Sequence, residues 1–209
     1  MSDLQKKNAG EAAAAYVEAG MVVGLGTGST AAWFVKALAA RNLPDLRCVP
    51  TSERTADLAR ELGLTLSTLE DTPRIDLTVD GADEIGPGLA LIKGGGGALL
   101  REKIVAAVSE RFICICDASK RVDVLGRFPL PVEVIPMAAA QIARRFAAKG
   151  GQATLRLKDG QPLVTDNGQH ILDVHGLKIT DPLAFESQVN QWPGVVTVGV
   201  FAHQKAQVC

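Results

Sequence analysis

Four consecutive glycines, Gly94, Gly95, Gly96 and Gly97, stand between Lys93 and the charged triplet Arg101-Glu102-Lys103. Such a run strips the side chains from a loop, lets backbone N–H groups approach a ligand and, where it leads into a helix, favours anions. Folding alone gives little reason for it, because each glycine costs conformational entropy and adds no buried area. Shortly upstream, Asp80-Gly81-Ala82-Asp83-Glu84 gathers three carboxylates in five residues. Asp80 and Asp83 are expected to face a common pocket, whereas Glu84 fits a cap or a solvated charge equally well. The acids lack the alternation and distal glutamate of a calcium loop, so no dedicated metal site is expected. Lys93 fits either stabilisation of negative charge on a substrate oxygen or a solvated loop lysine. Glu102 reads as a general base or as part of a solvated Arg-Glu-Lys face. On the residues alone both alternatives stay open.

A third motif, Gly26-Thr27-Gly28-Ser29-Thr30, ends a strand and opens a helix. Its glycines allow a tight turn, and Ser29 and Thr30 offer hydroxyls and helix-N-terminal amides to a phosphate. Read as Gly26-x-Gly28-x-x-Ala31, the same residues also fit a dinucleotide fingerprint, with Glu53 somewhat beyond the place of an acidic ribose ligand.

The elements that must position these groups alternate. Helical patterns at 9–19, 29–40 and 52–62 interleave with short strands at 21–25, 47–50, 64–66, 75–79 and 112–116. That order argues a mostly parallel sheet covered by helices, with ligands gathered beyond the carboxyl ends of its strands. From Gly126 the texture changes, with three prolines by Pro136. A helix at 137–149, strands at 153–158, 162–165, 170–174 and 195–201, and a helix at 182–191 then suggest a small α+β domain placed as a lid.

Composition narrows the function classes. The 209 residues hold 47% hydrophobic and 22% charged side chains with a net charge of −1. This is an ordinary globular balance. Aromatics at 4% and scattered basic residues leave no surface for nucleic acid. No signal peptide and no membrane span are expected, and the location read from this is cytoplasmic. Cys48, Cys114, Cys116 and Cys209 show no paired metal spacing and read as thiols, mostly buried. His170, His175 and His203 form no metal pattern.

Together with Asp117-Ala118-Ser119-Lys120, the three motifs resemble ribose-5-phosphate isomerase type A in order and spacing. The segments 128–136, 164–168 and 193–199 extend the resemblance over nearly the whole chain. It implies an α/β fold, with a Rossmann-like parallel-sheet catalytic domain (1–126 with 199–209) and a small ferredoxin-like α+β lid domain (127–198). It further implies a cofactor-free aldose-ketose isomerase of the non-oxidative pentose phosphate pathway that interconverts ribose 5-phosphate and ribulose 5-phosphate through an enediolate. Glu102 would be the base. Asp80 and Asp83 would assist ring opening and proton movement between the oxygens, and Lys93 would hold the oxyanion. Thr27, Gly28, Ser29, Thr30, Gly81, Ala82, Gly94, Gly95, Gly96 and Lys120 would bind substrate, with Lys6 a further candidate, and the chain would form a homodimer or higher oligomer. The family continues beyond Val208 with another strand and a tail, so the sheet edge and the oligomer contacts are where this chain is expected to differ. A nucleotide-dependent oxidoreductase and a non-catalytic sugar-phosphate sensor are the rival readings.

Overall fold

The computed structural model describes residues 3–209. Along the chain come α1 (Asp3–Ala14), β1 (Val22–Leu25), α2 (Ser29–Ala40), β2 (Arg47–Pro50), α3 (Glu53–Glu61), β3 (Ile75–Asp80), β4 (Glu84–Ile85), β5 (Leu91–Ile92), α4 (Leu99–Ala107) and β6 (Ser109–Cys114). There follow β7 (Leu130–Val134), α5 (Ala139–Ala147), β8 (Gln152–Leu155), β9 (Leu157–Lys158), β10 (Gln161–Pro162), β11 (His170–His175), α6 (Pro182–Asn190), β12 (Val195–Val198) and β13 (Val200–Phe201). These elements form two compact units. One holds the chain through Gly81, Arg101–Ala118 and Ala206–Cys209; the other holds Ala82–Leu100 and Ser119–Lys205. Among the described residues no helix is long and apolar enough to cross a membrane.

The first unit is built on a parallel sheet of order β2-β1-β3-β6. Its strands are short and apolar because both faces are covered. Val23 and Leu25 pack with Phe34, Leu38, Leu77 and Val79, while Val22 packs with Val49, Ile75 and Val105. α3 starts at Ser52, whose hydroxyl accepts the Thr55 N–H at 3.1 Å. Two expectations shift. The first helix begins at Asp3 rather than at residue 9, because the polar start is itself helix-forming and puts an acid in the first turn. The strand expected at 64–66 reduces to one bridge between Cys48 and Leu66, along the outer edge of β2.

The second unit has an antiparallel sheet of order β12-β7-β11-β8, covered by α5 and α6. Counting its four strands in chain order gives 4-1-3-2, the split βαβ arrangement of ferredoxin-like folds. Val132, Val134, Ile142, Phe146, Leu172, Val174 and Val198 fill its core. β7 lies in the proline-rich segment for which the sequence predicts no strand. Pro131 is tolerated inside the sheet because the pairing of β7 with β12 ends at Val132 opposite Val198; beyond it, the Pro131 carbonyl accepts the Gly199 N–H. A small sheet of order β13-β5-β4 ties 82–100 and 199–205 into this unit. The Glu84 carboxylate secures 119–128 by accepting the N–H groups of Gly126 and Phe128 at 2.8 and 2.5 Å.

Candidate active site

In the first unit β1 and β3 are the central strands. From β1 the chain crosses to β2 on one side, and β3 lies on the other. Open parallel sheets bind ligands beyond the strand ends at such a reversal, and both the 26–30 loop and Asp80 emerge there. Gly26 has no room for a side chain, since a Cβ would stand 2.2 Å from Asp80 Oδ1. This close approach lets the Thr27 N–H donate to Asp80 Oδ1 at 3.1 Å, and the same oxygen accepts the Gly81 N–H at 2.7 Å. The Asp80 carbonyl accepts from the Ile115 N–H. Asp80, 1% exposed, is therefore held from side chain and backbone alike. Gly28 has φ 123°, a left-handed conformation open to glycine, and starts α2 without a side-chain cap. Exposed Ser29 and half-buried Thr30 occupy the first turn, where helix amides and dipole favour an anion. Thr27 is oriented inward: its hydroxyl bonds Thr51 Oγ1 and Ser52 Oγ, each at 2.8 Å. An open depression of about 590 Å³ beside this loop is lined by Gly26, Gly28, Ser29, Arg54 and Thr55, among others.

Glu102 lies in the first turn of α4. It is 5% exposed, whereas Ile104 on the same helix is 42% exposed. A helix folded only for stability would turn these two the other way. Arg101 donates to Glu53 Oε1 at 2.7 Å and so links α4 to α3. Lys6, half-buried on α1, forms an ion pair with Asp3 at 3.7 Å.

The second unit carries Asp83, Lys93 and the glycine loop. Lys93 is 2% exposed, and its ammonium stands 5.6 Å from the Phe201 ring centroid. Lysine is seldom buried this deeply unless its charge is used or compensated. The Gly95 N–H donates to Asp83 Oδ2 at 2.8 Å, and a Cβ on Gly95 would come within 2.6 Å of Asp83 Oδ1. Gly94, at φ 106°, would press a Cβ onto Leu99 and Pro131. Gly95 and Gly96 are exposed, Ala82 is half-buried, and Lys120 is half-buried at the end of the 3₁₀ turn Ala118–Lys120. Glu84 is absorbed by structure through its bonds to 126 and 128, which resolves the alternative left open for it.

The model of the family ribose 5-phosphate isomerase A (phosphoriboisomerase A) matches residues 47–209, which contain the acidic turn, Lys93, the glycine loop, Glu102 and Lys120. The chain belongs to the ribose-5-phosphate isomerase A family. The ribose-5-phosphate isomerase A of Leptothrix cholodnii is 59% identical over 208 residues, covering 99% of this chain and 93% of its own. That of Polaromonas sp. is 58% identical over 211 residues, covering 99% and 88%. Among solved structures, ribose 5 phosphate isomerase A from Neisseria gonorrhoeae has a TM-score of 0.94 at 40% identity, covering 99% of this chain and 91% of its own. A D-ribose-5-phosphate isomerase in complex with phospho-erythronic acid has a TM-score of 0.95 at 40% identity, covering 98% and 93%. Ribose-5-phosphate isomerase A enzymes interconvert ribose 5-phosphate and ribulose 5-phosphate, and this chain is an isomerase of that family. The oxidoreductase and sensor readings find no support in these matches.

Three features of this isomerase escaped the sequence reading. The hydroxyls of Thr51, Ser52 and Thr55 lock the 26–30 loop, with Thr55 donating to the Gly26 carbonyl at 3.0 Å. Arg156, far along the chain, donates to the carbonyls of Gly94 at 2.8 Å and Gly95 at 3.2 Å while paired through two nitrogens with Asp173. No local pattern marks either group; an isolated arginine in a strand-like segment was the only signal. The third is a cluster of the Cys114, Cys116 and Cys209 sulfurs.

Proposed function

We propose that Glu102 is the general base of the isomerisation, and the observation that carries this is its burial on a helix that leaves an isoleucine exposed. In this reading Glu102 removes the proton from C2 of the open-chain aldose. The C2–H electron pair forms the C1=C2 bond of an enediolate, with negative charge on the C1 oxygen. Return of the proton to C1 gives the ketose, while the hydroxyl proton on O2 passes to O1. Lys93 supplies the cation that meets the developing oxyanion, an effect worth roughly a few kcal/mol where water is excluded. Asp80 and Asp83 assist ring opening and the oxygen-to-oxygen proton transfer; their fixed backbone and side-chain bonds support that positioning role. Thr27, Gly28, Ser29, Thr30, Gly81, Ala82, Gly94, Gly95, Gly96 and Lys120 bind the sugar phosphate, with Lys6 a further contact.

All of these residues fall in 1–126, which with 199–209 we take as the catalytic domain by role, leaving 127–198 as the smaller domain; the compact units divide differently, with 82–100 and 199–205 in the second. The relative's complex with phospho-erythronic acid supports a site for a phosphorylated polyhydroxy acid. The decisive experiment is conversion of ribose 5-phosphate by the purified chain in chelator and without nucleotide, beside Glu102→Gln. Turnover should fall by about two to four orders of magnitude with substrate binding retained. Near-normal turnover in the variant removes Glu102 from this role.

Assembly as a homodimer is part of the proposal, supported by the exposed apolar side chains of Leu155, Leu157 and Val164. A cytoplasmic location is supported by cysteines present as thiols.

A further inference from the structure

Three thiols of the first unit converge although their sequence spacing shows no metal pattern. Cys114 closes β6 and Cys116 follows two residues later, so both project to one side of the extended chain. The segment 207–209 runs alongside. The Gln207 N–H donates to the Phe112 carbonyl at 3.0 Å, the Cys114 N–H donates to the Val208 carbonyl at 2.8 Å, and Ile113 pairs with Val208 in parallel. The Gln207 side-chain oxygen also accepts the Phe112 N–H at 2.6 Å. Backbone pairing thus sets Cys209 beside the other two. The Cys116 and Cys209 sulfurs stand 3.4 Å apart, and all three lie within 4.8 Å of one another.

We propose that Cys114, Cys116 and Cys209 form a binding site for a thiophilic d¹⁰ ion, of which Zn²⁺ is the representative. A metal–sulfur bond of about 2.3 Å in tetrahedral geometry needs sulfurs about 3.8 Å apart, close to the 3.4 Å between Cys116 and Cys209 and inside the 4.8 Å that holds all three. Three ligands favour an ion over a simple redox pair, and soft sulfur donors select Zn²⁺ and Cu⁺ over Mg²⁺ or Ca²⁺. Burial is graded, from buried Cys114 through half-buried Cys116 to exposed Cys209. The gradient provides an entry path and a fourth position for water. On binding, three S–H bonds give way to three metal–sulfur bonds and the protons pass to water. None of the three thiols is among the residues assigned to isomerisation, although Cys114 pairs with Asp80 in the β3–β6 register and Ile115, between Cys114 and Cys116, donates to the Asp80 carbonyl.

The test is titration of the reduced, purified chain with Cd²⁺, followed by competition with Zn²⁺. One Cd²⁺ per chain should bind with a near-ultraviolet thiolate-to-metal absorption, and Zn²⁺ should abolish that band. Cys116→Ser and Cys209→Ser should each weaken binding by more than the roughly tenfold that loss of an outer-shell partner costs. Cys48→Ala, which alters a thiol outside the cluster, should bind as the parent does, and near-ultraviolet circular dichroism checks that each variant is folded. Absence of the band, or a band unchanged in both serine variants, overturns the proposal. So does a Cys116–Cys209 disulfide found by intact mass in the same reducing buffer.

Discussion

At the residue scale, close approach and burial do most of the work. Gly26 brings the end of β1 against Asp80, so the Thr27 amide reaches a carboxylate oxygen that a side chain at 26 would displace. Gly26→Ala should therefore lower stability by about 1–3 kcal/mol through overpacking and reduce turnover at least as strongly as binding. Denaturant midpoints and steady-state kinetics would show this, and an active, fully stable variant would refute it. Cys48 illustrates burial acting on a proton. The core of the first unit pushes its thiol from 9.0 up to about 12. A folded-state value above the unfolded one gives stability that is complete below pH of about 9 and is lost as pH rises toward 12, by at most a few kcal/mol. Urea unfolding from pH 8 to 11 should thus show a steeper alkaline decline for the parent than for Cys48→Ala; equal slopes would count against this origin.

At the element scale, the glycine loop owes its shape to a partner distant in sequence. Arg156, held by Asp173, binds the carbonyls of Gly94 and Gly95, and Gly94 turns the chain in a conformation closed to other residues. Arg156→Ala should lower kcat/KM by about ten- to a hundredfold, the scale expected when positioning slips by an ångström. Amide exchange at 94–97 should quicken in parallel; unchanged exchange would leave the clamp without a role. Much of the element pattern was legible: α2, β2 and the cores of α3, β3 and β11 follow apolar periodicity and capping directly. β4, β5 and β7 were not. Two of these are two-residue strands too short to carry a period, and the third contains Pro131, whose tolerance depends on where its neighbour β12 stops.

At the scale of the whole molecule, the proposed homodimer draws its support from the exposed apolar residues Leu155, Leu157 and Val164. Light scattering should give twice the chain mass, and Leu157→Lys should shift it toward the monomer. A monomeric parent protein would dismiss the assembly proposal. The groups proposed to carry the chemistry stand in local motifs that the sequence displays: glycines that free amides, acids at a strand end, a lysine before a glycine run. Their order and spacing were enough to imply the family before any fold was known. Only the tertiary structure decided which of them are buried, since Glu102 and Ile104 are exchanged relative to any stability-driven helix pattern. It alone also gathered Arg156 to the glycine loop and Cys209 to Cys114 and Cys116. Those contacts join residues tens of positions apart through sheet pairing, and no local rule of spacing reports which strand will lie beside which.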